Sequence, residues 1–346
     1  MSDVDPIYEQ LAAKITGGRG GGNTAKIIAK MANLGQARMV VALPDTDRAP
    51  SAGRSLEVSD KFAQKLGMEK KTVDKHIREL FEKGLLFPTR NGPQMARTGM
   101  QLHDAALGNP KYDEQLGPEF FELWGGPAGK IERKPPPQVL RPQSAGFRIV
   151  PRWKSIKDVP GVLPHEDVRQ ILKSQKLIAI QPCGCKRSFT KRDCGVPGES
   201  CINVGRTAEN NIDRGASKAI TYEEAMKIND EFDKYPVANM VGNWKEVNQL
   251  VCNCHYCCCG AVHGAAKSRF EAEVDPEECH ACGICIEMCQ FDAISMKENA
   301  NGKKHAYVNP EICRGCGCCV IVCPNEARKM KIVRPPEYIP ETGAIY

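Results

Sequence analysis

The sequence predicts a multidomain α+β protein, helical at its N-terminal end and cysteine-rich at its C-terminal end, and three observations carry that prediction. All 18 cysteines lie between Cys183 and Cys323, and the first 182 residues contain none. Residues 274–329 repeat themselves at a constant offset of 34. Residues 51–97 hold two short apolar patterns of helical period followed by a turn rich in glycine and proline. A chain of 346 residues has room for two or three domains, and 41% hydrophobic with 26% charged residues excludes a disordered chain. No run of about 18 apolar residues is present to span a membrane. Met1, Ser2, Asp3, Val4 and Asp5 carry no basic or apolar leader pattern, so a cytoplasmic protein is expected.

From Asp5 to Ile15 the apolar spacing reads as a helix, and Gly17, Gly18, Gly20, Gly21 and Gly22 interrupt it. A phosphate-binding loop needs Lys-Ser or Lys-Thr after its last glycine; Asn23 and Thr24 stand there, so the segment is read as a turn. Asn23 is placed to cap a helix with Ile27, Ile28, Met31 and Leu34 on one face. Leu56, Val58, Phe62, Ala63 and Leu66 line a further helix, Gly67 breaks it, and Thr72, Val73, Ile77, Leu80 and Phe81 line the next. Gly84, Leu85, Leu86 and Phe87, then a turn over residues 88–93, suggest a strand and a wing. The order is similar to a winged helix-turn-helix, with residues 69–83 in the place of the recognition helix. Nine Lys/Arg against six Asp/Glu from Arg54 to Arg90 leave a net of +3, thin for a duplex reader, so docking to protein is expected ahead of DNA binding. Further on, Phe120, Phe121, Leu123 and Trp124 precede an extended triple proline at 135–137, then a strand at 148–153 and a helix at 166–177.

In the repeat, Val274, Pro276, Cys279, Cys282, Gly283, Cys285, Cys289 and Ala293 match Val308, Pro310, Cys313, Cys316, Gly317, Cys319, Cys323 and Ala327. Each half reads C-x2-C-x2-C-x3-C, the spacing of bacterial two-cluster ferredoxins. Three thiolates at three-residue intervals wrap one iron–sulfur cubane, and the fourth, expected to begin a helix, reaches the other. The resemblance implies that Cys279, Cys282, Cys285 and Cys323 hold one [4Fe–4S] cluster, and that Cys313, Cys316, Cys319 and Cys289 hold the second. Gln290 departs from the proline that Pro324 keeps, and Cys318 falls outside the pattern as a small buried side chain. A β-hairpin is expected over 297–306, turning near Asn301 and Gly302.

Upstream stand Cys183, Cys185, Cys194 and Cys201, then Cys252, Cys254, Cys257, Cys258 and Cys259. A reducing compartment does not keep so many thiols as disulfides, and three consecutive cysteines cannot all point into one apolar core. One or two further [4Fe–4S] clusters are expected, with zinc as the competing reading, one of the five clustered cysteines spare and the ligand pairing open. His255 and His263 are candidate substitutes for a thiolate. Lys186, Arg187, Lys191 and Arg192 would offset the negative charge of a third cluster.

Taken together the chain resembles a group of iron–sulfur proteins of anaerobic bacteria and archaea with a winged-helix-like front, two cysteine-rich segments and a C-terminal two-cluster ferredoxin. The expected layout is a helical and winged-helix-like domain at 1–100, a connecting region at 101–180, a cysteine-rich Fe–S region at 181–265, the ferredoxin-like domain at 270–334 and a tail at 335–346. The resemblance implies an electron-transfer subunit that relays single electrons through three or four clusters to or from a larger flavin or metal-cofactor oxidoreductase of anaerobic metabolism. No nucleophile triad, dinucleotide fingerprint or carboxylate pair is evident, so no substrate or catalysis of its own is expected. The alternative is a redox-sensing winged-helix regulator of transcription.

Overall fold

Helix caps and turns set the N-terminal third. The computed structural model describes residues 4–18, 23–44, 54–125, 145–188 and 195–342; Cys194, Lys191, Arg192, the triple proline and Gly20 to Gly22 lie outside them. Asp5 caps the helix Pro6–Thr16 and Gly17, at φ 65°, ends it. The single helix expected after Asn23 is two, Thr24–Met31 and Leu34–Ala42, because Asn33 and Gln36 form a capping box that starts a new one. Asn23 makes no side-chain cap; its amide donates to the Leu123 carbonyl instead. Leu56 and Val58 precede the helix Asp60–Lys65 in extended chain rather than lining it. Gly67, at φ 65°, turns the chain into Lys70–Glu82, and β1 (Leu86–Thr89) pairs antiparallel with β2 (Gly92–Met95). Leu11, Ile28, Met39, Leu80, Phe81 and Phe120 meet in the core of this part.

A six-stranded antiparallel sheet follows. Its strands are β3 (Phe147–Val150), β4 (Ile178–Pro182), β5 (Glu199–Val204), β6 (Lys218–Ile220), β7 (Ala238–Gly242) and β8 (Leu250–Cys254), in the order β3-β7-β8-β5-β4-β6. It joins strands from the stretch expected as a connecting region with strands from the cysteine-rich region. The strand expected at 148–153 stops at Val150, and the helix expected at 166–177 spans Val168–Lys173 with Asp167 as its cap. Alternation gives the sheet two faces. Val150, Val241, Val251, Ile202 and Val204 pack under Val168–Lys173 and Tyr222–Glu231. Phe147, Ile149, Ala238, Met240, Leu250 and Cys254 face the other way, toward the cysteines.

The C-terminal repeat is built on β9 (Phe270–Val274), β10 (Ile294–Glu298), β11 (Lys304–Val308) and β12 (Arg328–Ile332). β9 pairs with β12 and β10 with β11, so Val274 opposes Arg328 while Val308, its counterpart at offset 34, opposes Ile294. Asp275 N–H donates to the Ala327 carbonyl, and Asn309 N–H donates to that of Ala293. The halves are thus related by an approximate twofold in which each completes the other's sheet. The expected hairpin turns through Gly302, at φ 77°.

Buried contacts and one exposed ion pair fasten the parts together. Arg269 pairs with Glu166 at 2.6 Å with both side chains under 5% exposed. Arg214 lies 4.7 Å over the rings of both Phe81 and Phe87, and Arg78 pairs with Asp213 at 2.9 Å. Among the described residues, no helix is long and apolar enough to cross a membrane.

Candidate metal centres

Each half of the repeat borders a pocket. One is lined by Cys279, Cys282, Cys285 and Cys323, with Ala306, Pro324 and Arg328. The other is lined by Cys289, Cys313, Cys316 and Cys319, with Ala272, Phe291 and Ala293. Gly283 and Gly317 adopt φ 84° and 77°, the left-handed turn that opens the short helices Ile284–Glu287 and Cys318–Ile321. Those helices precede Cys289 and Cys323, so the fourth cysteine of each half follows a helix rather than beginning one. Each helix ends where the chain must cross toward the twofold mate.

The donor set suits an iron–sulfur cluster. Ala306 N–H lies 3.4 Å from the Cys279 Sγ, Ala293 N–H 3.3 Å from the Cys289 Sγ, and an Arg328 Nη 3.0 Å from the Cys285 Sγ. Such bonds stabilise thiolate over thiol. Burial, with Cys316 nearby, pushes the Cys289 thiol up to about 12, and burial likewise raises Cys285, Cys313 and Cys319. These groups therefore give up their protons to solvent only when a bound cation takes their place on the sulfur. Cys318 lines neither cavity; it is 1% exposed and its thiol donates to the Val237 carbonyl at 3.1 Å.

Upstream, one chamber is lined by seven thiols: Cys183, Cys185, Cys201, Cys252, Cys254, Cys258 and Cys259. The sheet positions most of them. Cys201 on β5 stands directly opposite Cys252 on β8, and Cys254 shares the face of Cys252 two residues on. The Cys201 and Cys252 sulfurs are 3.9 Å apart, those of Cys254 and Cys259 3.4 Å. Cys185 hydrogen-bonds Cys183 and Cys259, which holds both of those thiols low and drives Cys185 up. Thiols in such a string cannot all ionise without a cation among them.

Cys257 does not line this chamber; its Sγ is 2.9 Å from Nδ1 of His255, and His255, Cys257 and Cys258 bring three donor atoms within 4.8 Å of one another. His263 meets Tyr256 edge-on, with ring centroids 4.0 Å apart, outside the chamber lining. Cys194 lies outside the described residues. Lys186 lines the chamber, but Arg187 does not balance it: its guanidinium binds the Leu107 carbonyl and Asp113 and covers Phe121 at 5.1 Å. That arginine fastens two parts of the chain instead.

Sequence reasoning missed the polar groups around the thiols. Asn203 donates to the Cys201 Sγ at 3.4 Å, and Asn211 holds both Asn203 and Gln181. Arg152, fully buried, donates to Asn253, the residue between Cys252 and Cys254. Arg328 could have been noticed, because its repeat counterpart is Ile294.

Residues 278–327 match the family model described as a 4Fe-4S dicluster domain. No curated protein and no solved structure matches the chain. The match covers the repeat, which is an iron–sulfur region of ferredoxin type, and it supports electron transfer as the general function.

Proposed function

We propose that the chain is an electron-transfer subunit whose eight repeat cysteines hold two [4Fe–4S] clusters in crossed quartets and whose upstream thiols hold one or two more. The observation that carries this reading is the pair of pockets, each lined by the four thiols that the crossed pattern assigns to one cluster. When bound, such clusters accept and release one electron each. The chain's own residues fix the thiolates and set each potential through N–H donors and burial. The partner that consumes or supplies the electrons is a separate oxidoreductase with a flavin or metal cofactor.

The winged-helix-like front fits a docking role better than duplex reading. Arg78, on the helix in the recognition position, is engaged by Asp213, and Arg54 by Asp213 and Glu209. Salt-sensitive, sequence-selective DNA binding by the purified protein would favour the regulator instead.

One observation favours zinc for the upstream thiols. Sulfurs 3.4 and 3.9 Å apart lie near the edge of roughly 3.8 Å that four sulfurs at about 2.3 Å from one ion would make. Anaerobic iron and zinc determination with EPR of the reduced protein decides between them: roughly 12 to 16 irons per chain are expected. About 8 irons with stoichiometric zinc would remove the upstream clusters, and an iron-free protein would end the proposal.

A further inference from the structure

We propose that Gln290 is the positioning residue that couples the Cys289 quartet to the upstream chamber, giving the centres a fixed order: the Cys279 quartet outermost, the Cys289 quartet in the middle, the chamber innermost. The inference rests on the electron-relay reading above.

Gln290 follows Cys289 directly in the chain and reaches into the loop that carries the upstream thiols. Tyr256 N–H donates to its Oε1 at 2.6 Å, and its Nε2 donates to the Cys254 carbonyl at 3.1 Å. The path from the Cys289 sulfur to the Cys254 sulfur thus runs through Cys289, one peptide bond, the Gln290 side chain, one hydrogen bond and Cys254. A proline, which stands at the matching position 324, has no side-chain amide to make either contact. The apolar surroundings agree with this order. Cys254, Cys259, Tyr256 and Phe291 form one core against which Cys289 and Cys316 pack; Cys279 and Cys285 belong to a second core, which also takes in Cys319 and Cys289, so the Cys289 quartet touches both. A second link runs parallel: Arg152 donates from its guanidinium to Asn253 at 2.8 Å and from its backbone N–H to the Cys316 carbonyl at 2.9 Å. At the other end, Cys282 is exposed and flanked by Ile284 and Ile286, 41% and 38% exposed.

In a transfer across Gln290, one electron leaves the reduced cluster of the Cys289 quartet, which returns to its oxidised form, and enters an oxidised cluster in the chamber. No bond is made or broken and no proton moves. The test uses the full chain, isolated anaerobically, with dithionite as the electron donor and freeze-quenched EPR to follow each signal. The parent protein is assayed for metal first, and a count of about 8 irons confined to the repeat overturns the relay reading together with this inference. With upstream clusters present, Gln290→Met keeps the length of the side chain without its hydrogen bonds, and Gln290→Glu keeps only the acceptor for Tyr256 N–H. Gln290→Met is expected to retain parental iron and the parental magnetic interaction between the two repeat clusters, while reduction of the upstream signal slows about tenfold. Gln290→Glu is expected to fall between. Parental rates in both variants at parental iron overturn the proposal. Loss of upstream iron in both also overturns it, since Gln290 would then be a structural prop and not a link.

Discussion

The repeat and the upstream chamber use the same thiol chemistry and are assembled by opposite routes. In the repeat, three of each four cysteines lie on one turn of chain, and only the fourth comes from the twofold mate. In the chamber, Cys201 and Cys252 meet across 51 residues because β5 and β8 pair in one register. A slip of one residue would turn Cys252 and Cys254 to the opposite face of the sheet. A centre held by loops survives local damage; a centre held by sheet register fails with it.

The largest effects should come from single thiols. Cys316→Ser is expected to lower the iron count by about 4 and leave the upstream metal in place, because the other repeat cavity keeps its own quartet. Crossed ligation makes a sharper demand. Adding Cys289→Ser to Cys316→Ser should cost no further iron, whereas adding Cys279→Ser should bring the loss to about 8. Equal losses from both double variants would show that the quartets are not crossed. Cys252→Ser, by contrast, takes one thiol from the chamber while the backbone pairing of β5 and β8 stays in place, and is expected to release one upstream centre while the repeat keeps its irons.

What the sequence made legible follows the same division. The offset-34 matches place all eight repeat thiols around two cavities, since three-residue spacing is a local geometry. The upstream chamber was visible only as cysteine density, because nothing in C-x-C or CNC-x2-CCC says that β5 pairs with β8. The six-stranded sheet escaped notice for a related reason: its strands are of three to six residues and interrupted by long helical excursions. Asn33 was hidden inside an apolar pattern that runs on through Leu34, and its cap divided one expected helix into two. Gln290 was legible as a departure from the repeat, but its contact with Tyr256 and Cys254 belongs to packing between parts that spacing does not encode.

The twofold is broken by what covers each half, and matched glycines measure this. A Cβ on Gly283 would meet nothing within 4 Å, whereas one on Gly317 would lie 2.1 Å from the Ser155 Oγ and 2.7 Å from its Cβ. Both hold a left-handed φ. Gly283→Ala is therefore expected to cost about 1 kcal/mol from backbone strain alone. Gly317→Ala adds a clash with the helix Trp153–Ile156 and should cost about 3 kcal/mol. Equal losses in denaturant titrations would mean that the two halves are covered alike. The natural sequence obeys the same asymmetry: Ala281 sits at φ 54° in the open half, and its counterpart is Gly315, where a Cβ would be 2.1 Å from the Phe270 carbonyl oxygen.

Arg328 breaks the twofold electrostatically. Its guanidinium touches the Cys285 Sγ at 3.0 Å, whereas Ile294 occupies the matching place in the other half. A cation beside a cluster favours the form with one more electron. Arg328→Met should lower the midpoint potential of the Cys279 cluster by roughly 60 mV, the one-electron equivalent of about 1.4 kcal/mol. The Cys289 cluster, whose Cys319 also feels the Arg328 charge but without the hydrogen bond, should move in the same direction by less. A shift shared equally by both clusters would mean that the charge acts on the repeat as a whole.

The smallest effect is expected at Cys318, the repeat cysteine that belongs to neither cavity. Its thiol is buried and donates to the Val237 carbonyl just before β7, which ties the repeat to the sheet. Serine keeps a donor at that place and removes only polarisable bulk, so Cys318→Ser should change stability by about 1 kcal/mol or less. Its iron count should equal that of the parent. A loss of about 4 irons would make Cys318 a ligand and break the offset-34 correspondence, since the matching residue in the other half is Ile284, which has no sulfur to offer.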